Sequence, residues 1–339
     1  MVFEDMLNER EAAAYKLIQN DLRYLYTIVC NMQQLTSNSN YIVSAMPFFG
    51  VVIDGVEDWI RAISNSKKCE IKFPIFDSAT QNYYEKMRRS IKLWSAPYNE
   101  IKESLKELYL NSERHFLSLC RPIARQLKLY DIFGADFVDG EYCGNTILCN
   151  YYIPDFAYGT DRSYIKQFSI IAGEYIRLFH ADIAYDVDRS MNFNCRDYGG
   201  FIKSPVGNSF SDRFVLFSLL CQINFVLFGV TKYIIGGNTT KLRIVYLQYF
   251  YSATILPEIN DRLNTEFAID IRWLSNSFRN AMAHYKLGVA LKASEIDFSD
   301  SLYGLTQKYF CCDYEKMLQV LLENLAALAQ QLKEYLKLR

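Results

Sequence analysis

Three histidines, His115, His180 and His284, are all the imidazole chemistry the chain offers, and one of them sits in useful company. In Arg279-Asn280-Ala281-Met282-Ala283-His284, a guanidinium and an imidazole are separated by four residues, with a carboxamide directly after the guanidinium. Neutral imidazole takes up a proton and imidazolium returns one close to neutral pH. A guanidinium holds an oxyanion through forked donors and stabilises charge that develops on it. The carboxamide can orient either group by hydrogen bonding. On a helix, Asn276, Asn280 and His284 form a ladder on one face, because residues four apart share a side. The apolar stripe Phe267, Ile271, Leu274, Phe278, Met282 and Tyr285 marks a different face, turned to the core. Ala281 and Ala283 leave room for a ligand or a second backbone. At about 100° per residue, Arg279 and His284 lie about 140° apart around the helix, against about 40° for Asn280 and His284. Arg279 must therefore wrap round the helix, or a second copy of the chain must complete the cleft. The competing reading pairs Arg279 with a carboxylate and leaves His284 as a helix-end histidine whose charge the macrodipole favours.

Other clusters offer less. Asp182 and Asp186 are expected on one helix face, and with Asp188 and His180 they could make an oxygen-rich divalent-metal site. A solvated acidic helix end, with Arg189 and Arg196 as neighbours, explains them better. His115 stands beside Glu113 and Arg114 and is expected at the surface. Lys86, Arg88, Arg89 and Lys92, interleaved with Tyr83, Tyr84 and Trp94, could meet an RNA backbone and stack bases. The helical period assigns Tyr83 and Trp94 to a core stripe instead. Arg121, Arg125 and Lys128 form a second basic group. The glycine-bearing segments lack the Lys-Ser/Thr ending of a P-loop, and no Gly-x-Ser-x-Gly elbow occurs. Nine cysteines, an odd number without a Cys-x-x-Cys pair, argue against a disulfide scaffold and a zinc ribbon. No metal or cofactor is expected.

The elements that must position these groups read as helical. Half of the 339 residues are hydrophobic and 22% are charged, which excludes a disordered chain. Seven prolines and 15 glycines are few for the many turns of a β-sandwich. Basic and acidic residues number 37 and 38, leaving a formal charge of −1, so no global basic footprint advertises nucleic-acid binding. Only a local patch could do so. Helical periodicity runs over residues 10–34, 51–64, and from Tyr83 to Leu127, where Pro122 divides the run. From Ile42 the apolar text is broken by Pro47, Gly50 and Gly55. Asp139-Gly140 and Gly144-Asn145 are turn dipeptides that mark a hairpin or long loop over 131–160. Residues 190–210 have loop composition. Asp161 is a candidate helix cap, and Ser209 or Ser211 caps the apolar helix Phe214–Val230, which Gly236-Gly237 ends. That stretch approaches membrane-spanning length, but Gln222 and Asn224 at its centre favour a buried core helix. A further helix ends at Pro257. Asn264 or Thr265 caps the one carrying the Arg279–His284 segment, and Gly288 stops it. Asp313 caps a last helix of heptad spacing. The expected class is all-α. A mostly helical region of unknown role (1–150) precedes a helical-bundle domain (151–339), with the hairpin or long loop between them. The acidic N-terminus has no apolar core for a signal peptide, and a cytoplasmic protein without membrane association is expected.

The Arg-Asn-x3-His segment, late in a helical region and followed by a further helix, resembles the motif of the HEPN superfamily (higher eukaryotes and prokaryotes nucleotide-binding domain). The likeness covers residues 161–339. It implies a metal-independent endoribonuclease that cleaves single-stranded RNA through its own 2′-hydroxyl, acting as a homodimer whose two motifs face one cleft. Arg279, Asn280 and His284 would be its catalytic residues. A toxin or antiviral-defence role, and an inhibitory antitoxin or other regulatory partner, follow by resemblance. Some domains of this type cut nothing, so a non-catalytic helical module that binds nucleotide or a protein partner is the alternative. A metal enzyme built on Asp182–Asp188 ranks third.

Overall fold

A computed structural model describes residues 7–31, 39–67, 78–119, 122–127, 131–153, 163–199, 202–284 and 290–338. A reciprocal cap starts the first helix, α1 (Glu9–Cys30): the Asn8 side chain accepts from the Arg10 and Glu11 amides, and the Glu11 carboxylate accepts from Asn8 N–H at 2.8 Å. Next, α2 (Tyr41–Lys67) runs unbroken through Pro47, Gly50 and Gly55, so the break expected there does not occur. Gly50 instead lets another backbone approach: a Cβ at this position would lie 2.8 Å from Arg88 Cα. That neighbour belongs to α3 (Ser78–Ser90), followed by a single 3₁₀ turn, Leu93–Ser95. The long run then divides at Pro122 into α4 (Tyr98–Leu119) and α5 (Pro122–Gln126), as expected from proline at a helix start.

β1 (Asp131–Val138) and β2 (Glu141–Asn145) form an antiparallel hairpin about Asp139-Gly140, both at positive φ (50° and 83°). Gly144-Asn145 does not turn the chain. Asn145 caps α6 (Thr146–Tyr152), accepting from the Leu148 amide at 2.9 Å. Asp161 lies outside the described residues. After α7 (Ser163–Leu178) come β3 (Asp186–Val187) and β4 (Phe193–Gly199). β4 pairs with β1, giving the order β2-β1-β4. A strand thus replaces part of the expected 190–210 loop; its mostly exposed polar middle, Asn194 to Asp197, hides the alternation by which strands are recognised.

α8 (Asp212–Asn224) continues through a π-helical turn at Phe225–Val230, and its cap residue is Ser211. This segment is long and apolar enough to cross a membrane, yet 83% of the apolar window is buried inside the protein. Gln222 is satisfied there, accepting from Trp94 Nε1 and donating to the Tyr152 hydroxyl. Gly236 and Gly237 do not end this helix. They sit beyond β5 (Ile234–Ile235), at positive φ, and lead into α9 (Asn238–Leu263). α9 passes through Pro257 rather than stopping at it. Asn264 is its left-handed C-cap, not the cap of the next helix. The remaining helices are α10 (Asn276–His284), α11 (Leu305–Phe310) and α12 (Tyr314–Leu336), the last capped by Asp313 as its sequence suggests.

The described residues are therefore mostly helical but not all-α, because a small antiparallel sheet and the β3-β5 pair belong to the fold. One hydrophobic cluster draws on residues from Ala13 to Leu336. α1 and α2 from the first half of the chain pack on α9 and α10 from the second.

Candidate active site

α10 begins where Ser275 supplies both its carbonyl, to Arg279 N–H at 2.9 Å, and its hydroxyl, to Phe278 N–H at 3.2 Å. Tyr246 on α9 fixes that start: its hydroxyl accepts from Ser275 N–H (3.0 Å) and donates to the Trp273 carbonyl (3.0 Å). Residues 265–270 and 274–275 are irregular around a 3₁₀ turn, Ile271–Trp273. The helix is therefore shorter than the stripe Phe267, Ile271, Leu274 and Phe278 suggests. Phe267 and Phe278 serve the core without sharing a helix, whereas Ile271 is exposed. Phe278 sets the rotation of α10. It is fully buried, edge-on to Tyr246 (4.6 Å) and to Phe310 (5.1 Å), with Met282 and Ala281 beside it. That leaves Asn276 and Asn280 exposed along one face, as their spacing requires. His284 closes the helix; its side chain, Tyr285 and Gly288 lie outside the described residues.

Arg279 is half-buried on the flank between the core and the exposed face. Its guanidinium carbon lies 5.4 Å from the centre of the Phe250 ring, over the face of α9, and its Nε is buried without a hydrogen-bond partner. Among the described residues no carboxylate pairs with it. It opens instead into a cleft of about 560 Å³, shared with Lys92, Ser95, Phe250, Tyr251 and Asn276. A second cleft of about 270 Å³ adjoins, lined by Asp54, Arg88, Arg89, Lys92, Tyr251 and Ala283 among others. Lys92 and Tyr251 line both. The walls come from distant parts of the sequence: α2 and the end of α3 on one side, α10 on the other, α9 beneath.

The electrostatics of this groove are lopsided. Arg88 is held by Asp54 at 2.7 Å, and Arg89 by Glu85 at 3.2 Å in an exposed pair one turn away. Lys92 has no such partner among the described residues. Although its side chain is exposed, desolvation by the protein around it pushes its ammonium below the usual lysine range, and the positive charges of Arg279 and Arg88 add to that push while Asp54 opposes it. Burial raises Tyr251, and Arg279 pulls it back.

Arg279 and Asn280 thus point to different surroundings, since Asn280 lines neither cleft. Ala283, the residue before His284, lines the smaller one. The cations of α3 and Lys92 belong beside Arg279, a juxtaposition that no spacing in the sequence announces. Trp94 is buried, as its stripe suggests, while Tyr83's side chain, with Arg121, Arg125 and Lys128, lies outside what is described. The acidic cluster does not assemble as expected. α7 ends at Leu178, Asp182 falls in an irregular segment and Asp186 opens β3, so the two share no helix face. The Asp188 carboxylate accepts from the Ser190 amide (2.9 Å) and hydroxyl (2.6 Å), which hold it below the usual carboxylate range. Among the described residues no group of three or more potential ligands could hold a metal ion. His115 is half-buried rather than exposed. Set against known proteins, the chain matches no family, no curated protein and no solved structure.

Proposed function

We propose that the cleft beside α10 is the active site of a metal-independent endoribonuclease of HEPN type. The observation that carries this reading is Arg279: a guanidinium without a carboxylate, open to a cleft that holds a second cation. A structural arginine at this depth is normally paired. An anionic ligand is the missing counter-charge. In the reaction, the 2′-oxygen forms a bond to the adjacent phosphorus as the bond from phosphorus to the 5′-oxygen breaks. Imidazole at position 284 takes the 2′-hydroxyl proton, and imidazolium protonates the leaving 5′-oxygen. Arg279 holds the phosphate and stabilises the charge on its oxygens, and Asn280 orients the imidazole or the phosphate. Because Arg279 and position 284 lie about 140° apart around α10, the reading includes a homodimer in which a second copy supplies the other half of the site.

The test is incubation of the purified chain with single-stranded RNA in excess chelator, alongside His284→Ala and Arg279→Ala. Wild type should leave 2′,3′-cyclic phosphate ends and both variants should be inactive. Cleavage that survives either substitution removes the proposed roles, and loss of activity to chelator removes the metal-free mechanism. A second reading, a non-catalytic module that binds nucleotide or a protein partner, draws on the position of Asn280 outside both clefts. RNA or nucleotide binding by wild type with no cleavage would favour it.

A further inference from the structure

Four cationic side chains, Arg88, Arg89, Lys92 and Arg279, line the two joined clefts, and the only carboxylate among the lining residues described there is that of Asp54. The whole chain carries a formal charge of −1, so this concentration is local. It is also uncompensated where the clefts meet, since neither Lys92 nor Arg279 has an ion-pair partner among the described residues. Holding like charges together in a partly buried groove is unfavourable unless a ligand of opposite sign offsets it. A small anion at Arg279 would neutralise one end only. The cations are strung along a path instead, from Arg89 past Lys92 to Arg279, and Ala283 on the α10 wall has no side chain beyond Cβ to block it.

We infer that Arg89, Lys92 and Arg279 form a continuous track for the backbone of single-stranded RNA, with the end of α3 from the first half of the chain feeding the cleft beside α10. A repeating polyanion suits charges set in a row, and counter-ion release along the row supplies affinity independent of base sequence. A single strand suits a recess: it can follow the floor down to the half-buried Arg279, whereas a duplex is a stiff rod that meets exposed charges first. Phe250 and Tyr251, both buried, form the floor beneath the chain rather than stacking platforms, so binding tolerates any base. Arg89 and Lys92 are positioning residues. The inference rests on the nuclease reading for the direction of the strand, though not for its binding.

The experiment measures binding of a labelled 12-nucleotide single-stranded RNA to full-length His284→Ala protein across a salt series, by fluorescence anisotropy. The same background then carries Arg89→Ala/Lys92→Ala, with Lys316→Ala, an exposed residue on α12, as control. On a single strand each phosphate contact removed lowers the log–log salt slope by about 0.7. The double variant should lose a slope of about 1.4 with at least a tenfold loss of affinity at low salt, and the control should lose neither. Both substituted side chains are exposed and Arg88, which pairs with Asp54, is left in place, so thermal melts should be unchanged. An unaltered slope in the double variant overturns the track, as does equal competition by polyglutamate, which would make the partner an acidic protein segment. Failure of the nuclease reading looks different: His284→Ala would still cleave, or wild type would never cleave, while the slope difference stands.

Discussion

Lys92 and Arg279 face one cleft from opposite halves of the sequence, with no carboxylate between them. The relationship depends on Trp94 and Tyr246, neither of which does chemistry. Trp94, buried against Gln222 of α8, anchors the turn that carries Lys92, and Tyr246 anchors the start of α10. Two rigid attachments to the same core bring two like charges together. That arrangement lowers stability, which is why it points to a ligand.

Arg279→Met separates the structural from the functional role. The buried, unpartnered Nε costs about 1–3 kcal/mol, partly offset by about 0.5–1 kcal/mol from the Phe250 ring. Replacing the guanidinium with an apolar chain of similar length should leave stability to urea unchanged or raised by about 1 kcal/mol. RNA cleavage should fall by about 10²–10³. A loss of several kcal/mol with activity intact would make Arg279 a structural residue.

Lys92 gives the groove a pH signature. With its folded-state value below that of an ordinary lysine, the side chain loses its charge earlier as pH rises. RNA affinity should decline at a lower pH than an ordinary lysine would set, and Lys92→Arg, charged throughout, should flatten the decline. Stability moves the other way in the same window, because the unfolded chain binds the proton more tightly and folding gains as the charge is lost. Anisotropy and urea titrations over pH 7–10 should diverge; a parallel fall in both would mean that alkaline unfolding, not Lys92, controls binding.

How much of this was legible depends on range. Asp139-Gly140, Pro122 and Asp313 act on backbone within a few residues, and their spacing alone announces a hairpin, a division of the helical run and a cap. Pro47, Pro257 and Gly50 read as helix breakers because burial, which overrides propensity, is not visible in the text. β4 escaped notice because its partner, β1, lies far back in the chain and its exposed residues carry no alternation. The Arg-Asn-x3-His segment was visible as a motif and its exposed Asn276–Asn280 face followed from the period. Its cleft was not. The cations that complete it come from α3 and from Lys92 just after it, and the packing of α3 on α2 and of the following 3₁₀ turn on α9 brings them there.

Gly50 is the residue on which that approach turns. Its backbone touches α3 at Arg88, where an added Cβ would sit 2.8 Å from Cα and 2.9 Å from N. Neither atom can move without moving the helix. In an isolated helix, Gly→Ala gains about 1 kcal/mol. Here overpacking costs about 1–3 kcal/mol, so Gly50→Ala should lower the midpoint of thermal unfolding and weaken RNA binding by displacing Arg88 and Arg89. A rise in that midpoint would show that α2 and α3 have slack between them and that Gly50 does not set the groove.

Asp21 on α1 and Arg243 on α9 form a buried ion pair between the two halves of the chain, with Nε and Oδ2 3.1 Å apart and side chains only 1% and 4% exposed. Thr240 donates to the same carboxylate at 2.5 Å. Removing one member of a buried pair costs about 3–5 kcal/mol, because the other keeps its desolvation penalty without its counter-charge. Asp21→Ala should therefore bring the protein near its unfolding threshold, and Asp21→Leu/Arg243→Met should recover most of the loss. The same contact bears on expression of residues 151–339 alone. That fragment would expose the faces of α9 and α10 that α1 and α2 cover, along with Arg243. It should be insoluble, or lack a cooperative melt, where the full chain melts in one step. A soluble, cooperatively folding fragment would show that the second half forms its own core and that the cations of α3 are delivered by a separable neighbour.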